Sequence, residues 1–359
     1  MARSRRRRYR EYRGRRGGAS TVLKLIVILL AVLLAAALIF TLLMGKYIEY
    51  TDEGVRLHFP WGQEASPTPE LTEAPVQSDV LVVVTPEPTP EPAPEPVHVL
   101  TAVEVTAAHL ADGTAAERVR EAGGNCLVVE MKNEYGRVNW PTEVKGTIGL
   151  PTSVADEAAR TVAELAQQGE LYLVARVNCF RDQTLSNAQR GGPLMTNGGN
   201  VWYDGNGLRW VSPVSEDVCT YLVALCEELA ELGFDEILLE CAGFPYYGEI
   251  HALGTNQLRP EDLSGPVEAF WREMKTALAA RNVSLSFLVT GDMITGENTA
   301  AGIHAALLAN YAERVWTEAG EVDYAALLEQ AGMEEAADRL VLIGGGGTGG
   351  SALMEGPAR

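Results

Sequence analysis

Five carboxylates stand at or just beyond the ends of short apolar runs: Glu104, Glu130, Glu240, Asp292 and Glu318. Two carboxyl groups placed on either side of a bond can divide acid and base work, one giving up a proton while the other attacks or activates water. Glycosidic cleavage needs such a pair, about 5–5.5 Å apart for retention of configuration and roughly 6.5–9.5 Å for inversion. Lys132, Arg176 and Asn178 fall at the same ends of their runs. Cations and an amide would therefore accompany the acids, and buried charges persist only when paired in this way.

The elements that would carry these residues alternate regularly. Branched apolar runs cover 99–107, 126–132, 171–178, 236–242, 283–290, 314–317 and 339–343, and amphipathic stretches lie near 114–123, 154–168, 216–232, 266–281, 299–311 and 323–337. This β–α alternation implies parallel strands with helical crossovers, closed as a TIM (β/α)8-like barrel or left as an open doubly wound sheet. Strands of an open sheet covered on both faces are apolar almost throughout. Here every second residue toward the strand ends is charged or polar: Glu104 and Thr106, Glu130 and Lys132, Arg176 and Asn178, then Glu240. That pattern favours a barrel with its site at the C-terminal mouth. Seven strands are identified, so the eighth is missing from this assignment and the barrel could be incomplete.

The charge is divided just as unevenly. Nine arginines and Lys24 against Glu11 give residues 1–24 a charge of +9, and the other 335 residues hold 19 basic and 47 acidic groups, or −28. An acidic main domain argues against nucleic acid as its partner, since phosphates need a basic face. From Leu25 to Met44 the chain has no charge and one polar side chain, Thr41. Twenty such residues span a hydrocarbon core of about 30 Å. The expectation is a basic cytoplasmic tail at 1–21 and a single transmembrane helix at 22–44 embedded in the lipid bilayer, with everything after Lys46 extracytoplasmic by the positive-inside rule. Residues 45–62 read as a juxtamembrane hairpin around Thr51-Asp52-Glu53-Gly54. Residues 63–98 form a Pro/Glu-rich linker, with nine of the 18 prolines between 66 and 96. Such a segment is extended and builds no core. The barrel is assigned to 99–347 and a flexible tail to 348–359.

Three blocks of the barrel follow one another in a characteristic order. The first runs from Asn125 through Glu130-Met131-Lys132 to Gly136. The second is Leu173-Val174-Ala175-Arg176-Val177-Asn178-Cys179-Phe180-Arg181-Asp182, followed by Trp202 and Gly207-Leu208-Arg209-Trp210-Val211-Ser212-Pro213. The third is Glu231-Leu232-Gly233-Phe234-Asp235-Glu236-Ile237, running into Phe244-Pro245. Together the blocks resemble an uncharacterised bacterial family of glycoside-hydrolase-like proteins, which implies a TIM barrel with a carbohydrate substrate. Joined to the extracytoplasmic placement, this gives the expectation of a protein acting on a cell-envelope or extracellular polysaccharide. The resemblance places Glu240 at the family's fourth-strand carboxylate. The sequence departs from the family where an arginine usually follows, since Gly243 stands there, and Glu130 replaces an aspartate. Loss of an arginine that keeps a catalytic carboxylate ionised makes a degenerate barrel, one that binds glycan or scaffolds an envelope complex, the alternative expectation.

The catalytic candidates are Glu240, as nucleophile or general acid, then Asp292 and Glu130. The substrate-binding candidates are Glu104, Lys132, Arg176, Asn178, Trp202, Tyr203 and Tyr246. The aromatics are chosen because flat rings suit the CH faces of sugars; Trp210 is expected instead to pack its loop onto the barrel. No cofactor or metal is expected. The five cysteines read as buried thiols, with one disulfide left open, and the five histidines show no metal-ligand spacing. The spacing Gly344-x-Gly346-x-x-Gly349 lacks the following helix that a dinucleotide loop requires.

Overall fold

The computed structural model describes residues 48–51, 54–57, 99–144, 151–188 and 192–358. The expected transmembrane helix at 22–44, the basic tail and the whole linker at 63–98 lie outside them, and no helix among the described residues is long and apolar enough to cross a membrane. Near the N-terminus, Ile48–Thr51 pairs antiparallel with Gly54–Leu57. These strands fall within the segment 45–62 for which the alternation predicts a hairpin.

The barrel is closed and has all eight strands, each parallel to its neighbours. They are β1 (Leu100–Val105), β2 (Cys126–Lys132), β3 (Tyr172–Asn178), β4 (Glu236–Glu240), β5 (Ser284–Leu288), β6 (Val315–Glu318), β7 (Leu340–Ile343) and β8 (Gly350–Leu353). The helices are α1 (Ala107–Ala111), α2 (Ala115–Glu121), α3 (Ala155–Gln168), α4 (Gln183–Asn187), α5 (Glu216–Leu232), α6 (Ser264–Ala279), α7 (Gly291–Thr295), α8 (Ala305–Tyr311) and α9 (Tyr324–Gln330).

The eighth strand corrects the sequence reading, because it lies inside the segment assigned to a flexible tail. β8 pairs with β7 at Ser351↔Leu342 and with β1 from Gly350↔Leu100 to Leu353↔Val103. Its sequence, Gly-Ser-Ala-Leu, carries no apolar run, and the reason is steric. A Cβ at Gly349 would lie 2.6 Å from the carbonyl oxygens of Asp338 and Leu340, and one at Gly350 2.5 Å from that of Leu100. The strand enters a gap that only glycine fits, so a search for hydrophobic periodicity passes over it. The glycine run 344–349 is the turn between β7 and β8; a strand follows it, not a helix.

Alternation along the strands sorts the core into two bodies. Leu127, Val129, Leu173, Ala175, Val177, Ile237 and Leu239 face outward to the helices. Leu100, Ala102, Cys126, Val128, Val174, Leu238, Leu288, Trp316, Val341, Ile343 and Ala352 form a separate apolar cluster inside the barrel. Below this cluster Glu236 is fully buried and takes hydrogen bonds from Arg314 (2.5 Å), Trp316 Nε1 (3.0 Å) and Tyr172 (3.1 Å). Above it lies the mouth. All five cysteines are free and buried.

Candidate functional site

A cavity of about 760 Å³ opens over the C-terminal ends of β1 to β4. Glu104, Glu130, Arg176, Asn178 and Glu240 all line it, joined by Glu134, Asn139 and Arg181. Glu104, Glu130, Arg176 and Glu240 each lie one inward-facing step above the apolar layer of Ala102, Val128, Val174 and Leu238, and Asn178 lies one step higher on β3. Register does the rest: Glu130 lies opposite Arg176, and Asn178 opposite Glu240.

Arg176 organises the acids. Its Nε donates to Glu240 Oε2 at 2.9 Å, its Nη2 meets the same oxygen at 2.9 Å, and its Nη1 donates to Glu104 Oε1 at 2.8 Å. Glu104 and Glu240 thus sit within the span of one guanidinium. Burial alone would lower the Arg176 pKa, but Glu240 and Glu104 outweigh it and hold the cation charged. Gly243 is where the family usually has an arginine, and a Cβ there would collide with the Ala301 carbonyl. The chain leaves no room for a side chain at 243, and the guanidinium beside Glu240 comes from β3 instead.

Glu130 has a different environment. Its carboxyl forms no hydrogen bond or ion pair with any described residue, although its backbone carbonyl accepts from Asn139 Nδ2 at 2.7 Å. Burial pushes the carboxyl up to about 7; Arg176 opposes the shift, while Glu134, Glu240 and Glu104 add to it. One acid at the mouth is clamped to a cation and its neighbour is free to hold a proton near neutrality. Divergent environments of this kind separate the acid from the base in a carboxylate pair.

Five candidates of the sequence reading, Lys132, Trp202, Tyr203, Tyr246 and Asp292, do not line the cavity. Lys132 was expected to face the mouth beside Glu130, two residues earlier. The β2–β3 register shifts between Glu130 and Lys132, however, so that Lys132 lies opposite Val177 instead of Asn178. This bulge turns the lysine out of the barrel. There, fully buried, it meets Asp182 at 2.7 Å and donates to the Asn178 carbonyl at 2.8 Å. Asp182 also caps α4 through Leu185 N at 2.8 Å, and the Gly136 backbone passes so close that a Cβ would lie 2.7 Å from its carboxylate. Replacing Lys132 by Met is therefore expected to strand a buried carboxylate and cost about 3–5 kcal/mol of stability. Chemical denaturation would measure the loss, and Lys132→Met/Asp182→Asn should recover part of it.

Trp202 is 2% exposed and donates its Nε1 hydrogen to the Glu249 carbonyl, so it packs the 179–215 connection and offers no face to a ligand. That connection folds back on itself through bridges between Arg181 and Trp210, Pro193 and Val211, and Met195 and Val201. Trp210 is buried, as expected, and bonds Asp204. Tyr203 is 44% exposed, but its hydroxyl takes both Nε and Nη2 of Arg209. Asp292 is tied to Thr290 and Asn298 at the start of α7 and does not line the cavity. Tyr246 is buried beside the mouth and donates to the Ala358 carbonyl at 2.8 Å.

Two features of the mouth escaped the sequence reading. Arg181 lines the cavity with its Nε on Asp204 at 2.8 Å; it lies in the second resembling block, which was its available signal. Residues 353–356 and Ala358 form the other wall, and nothing in their composition announces this.

Residues 99–315 match the model of a family described as putative glycosyl hydrolase domain. No curated protein matches the chain. Among solved structures the fold is similar to a hypothetical protein from Ruminiclostridium thermocellum ATCC 27405, with 23% identity over 52% of this chain and 96% of that one and a TM-score of 0.44. It is similar as well to the PgaB (BpsB) glycoside hydrolase domain from Bordetella bronchiseptica, with 12% identity over 68% and 84% of the two chains and a TM-score of 0.48. A chitinase from Chromobacterium violaceum ATCC 12472 has 15% identity over 68% of each chain and a TM-score of 0.35.

Proposed function

The chain belongs to the putative glycosyl hydrolase domain family, and from that premise we propose that it is a membrane-anchored, extracytoplasmic hydrolase of a cell-envelope or extracellular polysaccharide. The observation that carries the proposal is the unequal carboxylate pair at one mouth. Glu130, with its carboxyl near 7, is the general acid that protonates the departing oxygen. Glu240, clamped by Arg176, is the partner that attacks the anomeric carbon or activates water. Glu104 completes the clamp, and Asn178 lines the same cavity. The anchor rests on the uncharged run 25–44 and the arginines before it.

The test incubates the purified full chain in detergent with a panel of envelope and extracellular polysaccharides and counts new reducing ends. Cleavage of at least one polymer is expected. Glycan binding without any cleavage would leave the degenerate barrel as the function. For the anchor, the full chain should pellet with membranes, and protease added outside should reach the barrel but not the arginine tail.

A further inference from the structure

Both clamped carboxylates at the mouth carry a second hydrogen bond, and in each case the donor is the backbone of the segment that follows β8. Glu355 N donates to Glu104 Oε2 at 3.0 Å, and Ala358 N donates to Glu240 Oε1 at 3.0 Å. The same Ala358 accepts from Tyr246 through its carbonyl at 2.8 Å. Thus the Glu240 oxygen not held by Arg176, the one left for a reacting atom, is covered by an amide. The segment is fitted to its place: Pro357 is buried, and the Gly356 backbone runs so close to Glu318 that a Cβ would collide with its carboxyl group.

The barrel closes through β8, at Leu353, and residues 354–358 add no strand. The cavity they cover is also lined by Glu130, whose carboxyl has no hydrogen-bond partner among the described residues.

We propose that residues 354–358 are a displaceable strap that occupies the ligand subsite of the barrel. This inference rests on the mouth being the ligand site, as proposed above. The strap's three polar contacts then map the ligand that replaces it. Such a ligand brings hydrogen-bond donors to Glu104 and Glu240 and an acceptor to the Tyr246 hydroxyl, a pattern that a polyhydroxylated chain supplies. Tyr246, buried under the strap, becomes a ligand-binding residue once the strap leaves. A site whose competent state is only fractionally populated binds more weakly by that fraction, so the strap sets the affinity of the mouth.

The experiment uses the full chain and the double variant Glu355→Pro/Ala358→Pro, which removes both N–H donors and leaves every barrel residue in place. Binding of both proteins to an array of defined oligosaccharides is compared, and backbone amide exchange is followed at 353–358. The double variant is expected to bind the recognised oligosaccharide about tenfold more tightly, and the Glu355 and Ala358 amides, protected in the free wild type, should exchange freely in its saturated complex. Equal or weaker binding by the variant, or amides still protected at saturation, would overturn the strap. If neither protein binds any glycan, the proposed function fails separately. Exchange then decides alone: protection of the Ala358 amide that falls in Glu240→Gln upholds the strap, and an unprotected amide removes it.

Discussion

Glu240→Gln should lower polysaccharide cleavage by about 10³-fold or more while the protein still folds. The amide keeps the size of the carboxyl but carries no charge, so it can neither attack the anomeric carbon nor take a proton from water. Removing a catalytic group of this kind costs about 10² to 10⁴-fold when it serves as acid or base, and more when it is the nucleophile. The fold should survive because Arg176 retains its second anion, Glu104, through Nη1 at 2.8 Å, and the glutamine oxygen can still accept from it. Reducing-end release at saturating polymer measures the rate, and a thermal melt checks folding. A rate within tenfold of wild type would remove Glu240 from the chemistry.

The second large effect belongs to Glu130 and appears in the pH profile. A general acid works in its protonated form, so cleavage should fall as the pH rises through about 7, the value to which burial pushes this carboxyl. Glu130→Gln is expected to lower the rate by about 10² to 10⁴-fold and to abolish that descending limb. A substrate with a good leaving group, which needs no proton, should recover much of the loss. Linkage supplies an independent readout. The folded-state pKa is raised, so the folded protein holds a proton that the unfolded chain releases above its ordinary range, and the resulting destabilisation builds up between about pH 4.5 and 7. Glu130→Gln should therefore match wild type in stability at pH 4 and exceed it at pH 8. Equal stability at both would show that Glu130 is not held in the unfavourable environment described.

The barrel and half of its mouth were legible because two simple periods survive in the sequence. Alternation placed Glu104, Glu130, Arg176, Asn178 and Glu240 inward, and closure of the sheet was enough to gather them. Lys132 was misplaced by the same rule. A one-residue bulge reverses the face of everything after it, and the residue that compensates, Asp182, is fifty positions away and reads as an ordinary helix cap. Trp202 shows a second limit, since an aromatic in a long glycine-rich connection looks alike whether it packs inward or outward. β8 was invisible for the opposite reason: it is specified by the lack of side chains at Gly349 and Gly350, where neighbouring carbonyls leave no space. The strap that follows acts through backbone amides, which every residue except proline carries, so its identity does not appear in residue types at all.

The sealed interior has a consequence for how a polymer could engage this barrel. Trp316, Leu238, Val174 and Val128 fill the lumen beneath the mouth, and the Glu236–Arg314 pair closes the far end. No passage runs along the axis. A polysaccharide cannot thread through; it has to lie across the rim and dip toward Glu240 from above, and both halves of a severed chain must leave by the side on which the intact one arrived.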